Sequence, residues 1–275
     1  MTYSQHVLEV SNLAVEYPIK GYGKGYNRVI QDVSFTLGAA QTLALVGESG
    51  SGKSTIGKAI LGLTPVAEGS IRFKGQEISG FTHKQRRPLA KELQVIFQNP
   101  YGSLNPSLTI GDILAEPLQA SGGATKIEAM GRIKTLLERV NMPTDAINRY
   151  PGDFSGGQRQ RIAIARALAL DPSVIVCDEP TSALDVSTQA AVLELLTELQ
   201  DRLGVSYLFI THDLAVVREF ADTTIVLEKG RIVENGLSAQ VCKSPEHPYT
   251  KRLVAAAPIP DPRAQRAKRL ARLAV

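Results

Sequence analysis

The 275 residues are 43% hydrophobic and 21% charged, enough apolar material for a sizeable core in one domain with a lobe or two. The net charge of +4 is concentrated at the end, where Arg263, Arg266, Lys268, Arg269 and Arg272 face Asp261 alone, so the rest is neutral and no nucleic-acid face is expected. No run nears the ~18 apolar residues of a membrane span, and Met1 to Gln5 has no signal-peptide pattern.

In chain order, residues 7–46 are strand-rich. An alternating stretch from Val7 to Glu16 ends at Tyr17, and residues 18–27 form a loop read as a mobile hairpin tip rather than a phosphate contact. Thr42-Leu43-Ala44-Leu45-Val46 is a short apolar strand that runs into Gly47-Glu48-Ser49-Gly50-Ser51-Gly52-Lys53-Ser54, a complete G-x-x-x-x-G-K-S loop. Glycine permits positive φ and has no Cβ to repel a phosphate, so successive N–H groups can share one concavity. A helix from roughly 53 to 63, opening with Ser54 and Thr55, adds the positive end of its dipole. Lys53 is placed to reach the β- and γ-phosphates of a nucleoside triphosphate, and the Ser54 hydroxyl to ligate Mg²⁺. A hairpin starts near Ser70–Phe73. The strand-like Leu93–Phe97 closes at Gln98, and about 109–140 is helical. Pro100, Gly102 and Pro106 mark the entry to that insert, Pro151 and Gly152 its exit.

From 155 to 235 strands and helices alternate, which argues for α/β architecture with a mostly parallel sheet. Ser155-Gly156-Gly157-Gln158 opens an Ala-rich helix to about 170, and its N-terminus is a second anion-type helix end. Val174-Ile175-Val176-Cys177 reads as a central strand buried on both faces, ending in Asp178-Glu179. Carboxylates there lie where open α/β sheets bind ligands. Asp178 is expected to hold Mg²⁺, directly or through water, and Glu179 to serve the water that attacks a γ-phosphate. Cys177 and Cys242, the latter in a late helix, have no metal spacing and suit a reducing compartment.

Phe154-Ser155-Gly156-Gly157-Gln158, taken with the phosphate loop and the carboxylate pair, closely resembles the signature of the ABC (ATP-binding cassette) ATPases. Phe154 stands where many members have leucine, an apolar exchange. The resemblance runs from about Val7 to Pro258. It implies an ABC-type P-loop ATPase core with an antiparallel β subdomain and an inserted helical subdomain. The nucleotide-binding domain is then expected over 7–240, with helical residues about 99–165 inserted and 241–275 as a C-terminal extension with a basic tail. The cofactors implied are ATP and Mg²⁺. Gln98 matches the Q-loop glutamine near the metal and attacking water. Ser182-Ala183-Leu184-Asp185 matches the D-loop, His212 the switch histidine at the γ-phosphate, and Tyr17 the aromatic that stacks on adenine. In the family the signature faces ATP held by the opposite subunit, so a second ATPase subunit, identical or different, is implied.

Phe97 to Pro106, Arg149-Tyr150-Pro151-Gly152-Asp153 and Ser244 to Leu253 with its His247-Pro248-Tyr249-Thr250 resemble importers of the oligopeptide, dipeptide and nickel type. That implies integral permease subunits docking around 98–120, indirect action with an extracytoplasmic solute-binding protein, and a peripheral position on the cytoplasmic membrane face. No iron–sulfur cluster is expected, since no cysteine follows Cys242. The basic tail is read as a solvated end, with contact to anionic lipid as its alternative. The rival class is an ABC ATPase of DNA repair, chromosome structure or translation. Such members usually carry a long heptad insert or two cassettes, and neither is seen here.

Overall fold

The computed structural model describes residues 6–19, 25–98, 100–121 and 125–256. The tip of the 18–27 loop at 20–24, Asn99 and the basic tail lie outside the described residues.

Strands β1 (His6–Pro18) and β2 (Tyr26–Gly38) form the long antiparallel hairpin expected from the alternating N-terminal pattern, closing at the Pro18–Tyr26 pair. With β4 (Glu68–Phe73) and β5 (Gln76–Glu77), introduced after β3 (Thr42–Val46) and helix α1 (Lys53–Leu61), they complete an antiparallel sheet ordered β2-β1-β4-β5. Helix α1 is shorter than its sequence pattern predicts. Gly62 takes φ 74° and its amide donates to the terminal carbonyls of Ala59 and Lys58, a left-handed stop that glycine adopts without a Cβ penalty.

The second sheet is built from β6 (Leu93–Ile96), β7 (Val174–Asp178), β8 (Ser206–Thr211), β9 (Thr223–Glu228) and β10 (Arg231–Leu237) around β3, in the order β10-β9-β3-β8-β7-β6. All its neighbours run parallel except the β9–β10 hairpin. The central strands are apolar at nearly every position because both faces are covered. Side chains alternate between the faces. Val174, Val176, Leu208 and Ile210 join Ile56, Ala59 and Ile60 of α1 and the inner face of the antiparallel sheet. Ile175, Cys177, Tyr207 and Phe209 join the helices on the opposite side.

That opposite side carries the helical insert. After the short helices α2 (His83–Arg86) and α3 (Pro100–Ser103), the predicted helical region at 109–140 is two helices, α4 (Ile110–Ala120) and α5 (Lys126–Arg139). Each has its own threonine cap: Thr109 accepts from the Asp112 amide, and Thr125 forms a capping box with Glu128. The second cap restarts the chain, which a hydrophobic pattern by itself does not reveal. Helices α6 (Gly156–Leu168) and α7 (Val186–Leu203) then pack Ile162, Ala165, Val192 and Leu196 between the insert and the sheet. Helices α8 (Leu214–Phe220), α9 (Ser238–Lys243) and α10 (Pro248–Ala256) close the far edge, where Val241 and Tyr249 pack on Val226 of β9.

Candidate functional site

Register in the parallel sheet decides which residues meet. Ile96 lies opposite Cys177, Cys177 opposite Phe209, and Val46 opposite Thr211. The residues at or just beyond the ends of these strands are therefore Gln98, Asp178-Glu179, His212 and Gly47, and all emerge at the carboxyl edge. This is where open parallel sheets place ligand crevices. A cleft of about 820 Å³ at that edge is lined by Tyr17, Gly47, Glu48, Ser49, Gly50, Gly52, Lys53, Ser54, Thr55, Gln98, Glu179 and His212.

Inside the loop, Gly50 and Gly52 adopt φ 81° and 106°, in the left-handed region that admits glycine. Gly47 has φ 158°, and a Cβ there would stand 2.2 Å from the Leu227 carbonyl oxygen of β9, so only glycine lets the loop lie this close to the sheet. Ser51 is buried beneath the loop, where its carbonyl accepts from the Gly230 amide. Lys53 is 5% exposed, and its Nζ donates to the carbonyls of Gly47 (2.7 Å) and Glu48 (2.8 Å). Burial pulls this ammonium below its ordinary range, while the carboxylates of Glu179, Asp178 and Glu48 act in the opposite direction.

The Ser54 hydroxyl donates to Asp178 Oδ1 at 2.7 Å across 124 residues of sequence. Gln98 Nε2 donates to Glu179 Oε2 at 2.9 Å, and His212 Nδ1 lies 3.4 Å from Glu179 Oε1. Glu179 itself has φ 49°, uncommon for a non-glycine residue, with its amide donating to the Ile210 carbonyl of β8. Its carboxylate is thereby turned out of the sheet between Gln98 and His212. Tyr17 stands exposed at the cleft wall, with its hydroxyl 3.3 Å from Thr64 Oγ1.

The remaining predicted site residues lie elsewhere on the chain's surface. Ser155 caps α6, accepting from the Gln158 amide while the Gln158 side chain accepts from the Ser155 amide. Asp185 caps α7 and accepts from the Thr188 amide and hydroxyl. Hydrogen bonds from Ser187 and then Thr188 hold its carboxyl well below the usual carboxylate range. The two helix ends touch: a Cβ on Gly157 would be 2.3 Å from Thr188 Cγ2. Ser155, Gly157, Gln158 and Thr188 line a shallow opening of about 440 Å³, separate from the phosphate-loop cleft.

Sequence reasoning missed Val29, Leu253 and Ala256, which also line the nucleotide-type cleft, and Tyr249, whose hydroxyl accepts from the Glu48 amide at 3.0 Å. The His-Pro-Tyr-Thr segment is conspicuous in the sequence, but nothing local to it points to a loop 201 residues away.

The family model for ABC transporters matches residues 30–182. A putative peptide import ATP-binding protein of Brucella ovis is 47% identical over 260 residues, 92% of this chain and 82% of that protein. The oligopeptide transport ATP-binding protein OppF of Haemophilus influenzae is 45% identical over 269 residues, 95% of this chain and 81% of its own. Among solved structures, a dimeric ATP-binding cassette in a post-hydrolysis state with ADP and Pi bound superposes with a TM-score of 0.74 at 28% identity. That match covers 84% of this chain and 98% of the other.

Proposed function

This chain belongs to the ABC transporter family, and we propose that it is the ATP-hydrolysing subunit of an importer for peptides or related small solutes, working as a nucleotide-sandwich dimer. The observation that carries the ATPase reading is the convergence of Lys53, the Ser54–Asp178 pair and the Gln98–Glu179–His212 cluster in one cleft. The peptide class rests on the names of the relatives at 47% and 45% identity.

In this reading the loop amides of 47–54 and the Lys53 ammonium hold the phosphates, and Tyr17 stacks on adenine. Ser54 Oγ and Asp178 Oδ1, adjacent at 2.7 Å, are the hard oxygen donors that Mg²⁺ prefers, and this cation needs only one or two from protein. Bound there, with the Gln98 amide oxygen alongside, Mg²⁺ would neutralise charge on the phosphate oxygens. Glu179 accepts the proton of the attacking water, Gln98 orients both, and His212 donates to the γ-phosphoryl group. Positioning and electrostatics supply most of such catalysis. Ser155, Gly156, Gly157 and Gln158, with Asp185 beside them, face the ATP of the second subunit, identical or different. We assign 7–240 to the nucleotide-binding domain, with the helical lobe at about 99–165 inserted and 241–275 as an extension.

Docking to integral permease subunits is placed around 98–120, on the cytoplasmic membrane face, with a solute-binding protein acting on the far side. A hollow of about 220 Å³ lined by Phe97, Ser103, Leu104, Pro117, Ala120 and Arg166 lies beside Gln98 and supports this placement. A permease segment seated there can bias Gln98, so that transport and hydrolysis share one two-state element. Cysteines introduced at Ser103 or Ser107 are expected to crosslink to a cytoplasmic loop of an integral membrane protein in host membranes. Absence of such crosslinks, with peptide uptake intact after gene deletion, would sink the importer reading and leave the ATPase reading standing.

A further inference from the structure

The phosphate loop is held from outside by a helix beyond the residues that the family model matches. Helix α10 is anchored at its start through β10, where Glu234 accepts the amides of Glu246 (2.8 Å) and His247 (3.0 Å). His247 Nδ1 in turn accepts the Tyr249 amide at 3.2 Å. The Tyr249 ring is 4% exposed and packs with Val226 and Val241, and the Arg252 guanidinium lies 5.7 Å over it. So fixed, the phenol hydroxyl accepts the Glu48 N–H at 3.0 Å.

That N–H belongs to the planar peptide unit whose other end is the Gly47 carbonyl, and the two groups of a trans peptide point in opposite directions. The Gly47 carbonyl accepts Lys53 Nζ at 2.7 Å. One peptide plane is therefore gripped at both ends, by Tyr249 on the outside and by the phosphate-binding lysine on the inside. Positions i, i+4 and i+7 of a helix share a face. From Tyr249 that face runs to Leu253 and Ala256, and both line the cleft alongside Val29 and Tyr17. The polar loop amides suit phosphates, whereas these apolar groups suit the nucleoside end.

We propose that α10 is part of the nucleotide site: Tyr249 is a positioning residue that sets the Gly47–Glu48 peptide and through it Lys53, while Leu253 and Ala256 form an apolar wall against the nucleoside moiety. This rests on the reading of 47–54 as the phosphate site. Tyr249→Phe keeps the ring and deletes the single hydrogen bond. In the full-length chain it is expected to weaken binding of ATP and ADP about fivefold. KM should rise in proportion, kcat stay within about twofold, and hydrogen exchange of the Glu48 amide accelerate. A purely structural tyrosine would lower the melting temperature without moving nucleotide affinity.

The chain has no tryptophan, so Leu253→Trp or the more exposed Ala256→Trp supplies a single reporter. Its emission should change saturably with ADP. Unchanged affinity in Tyr249→Phe, together with tryptophans at both positions that ignore ADP bound according to calorimetry, would overturn the proposal. Lys53→Ala separates the two levels. If it abolishes nucleotide binding while the α10 variants are silent, only the α10 assignment fails. If it binds as the parent does, the phosphate-loop reading fails and takes the α10 assignment with it.

Discussion

Helices α1 and α6 both begin at glycine-rich segments whose first turns offer free backbone N–H groups, yet they treat those groups differently. At α1 the capping position is Gly52, with φ 106° and no side chain to cap it. At α6, Ser155 and Gln158 satisfy each other's amides in a closed capping box, and Asp185 does similar work for the neighbouring α7. A glycine there in place of a capping side chain sacrifices roughly a few tenths of a kcal/mol of local stability. It is tolerable where an anion takes the orphan donors, and the α1 end sits inside a cleft with a buried lysine and two strand-end carboxylates. The α6 end sits on an open surface, stabilised by its own side chains and braced on Thr188. One end is built into a complete local site, whereas the other is a rigid surface suited to meeting something that arrives with another molecule.

Four measurements on variants sharpen or break that contrast, the inferred Tyr249 effect being the third in size. The largest expected effect comes from the self-contained cleft. Glu179→Gln removes the carboxylate held between Gln98 and His212, and hydrolysis should fall by about 10² or more, as for loss of a general base, with ATP binding retained. Accumulation of an ATP-bound dimer should be visible by light scattering, and near-normal turnover would move the role elsewhere. Next, Ser155→Arg puts a bulky cation on the open surface. Hydrolysis should be blocked while ATP affinity of the isolated chain hardly changes, because its own loop is untouched. A large loss of affinity would mean that α6 serves its own chain's nucleotide.

Tyr249→Phe follows, with its modest change in affinity and KM. The smallest effect is read on the stability of the isolated chain. Gly157→Ala forces a Cβ to within 2.3 Å of the Thr188 methyl, and a clash of this kind costs about 1–3 kcal/mol, read as a lowered melting temperature. Adding Thr188→Ser removes that methyl but keeps the hydroxyl that bonds Asp185, so stability should recover. If the double variant melts no higher than the single one, the close approach of α6 and α7 is not what demands glycine.

Sequence by itself determined whatever lies within one turn, one strand or one loop. The spacing of Gly47 to Ser54 encodes a phosphate loop whatever surrounds it, because neighbouring amides and a following helix are all it requires. The apolar run Val174–Cys177 announces a buried parallel strand, and carboxylates just after it must emerge at a sheet edge. The threonine caps that divide the insert were also present in the residues, but reading 109–140 as helical did not resolve α4 from α5. Tertiary structure alone decided which strand ends are neighbours. The order β10-β9-β3-β8-β7-β6 brings Gln98 to Glu179 across 81 residues, and periodicity reports which face a side chain takes but not which strand lies next to it. The grip of Tyr249 on Glu48 is the extreme case. A tyrosine in a late helix carries no local mark of the loop it holds, because the contact exists only once β9 and β10 have folded α10 back onto the carboxyl edge of β3.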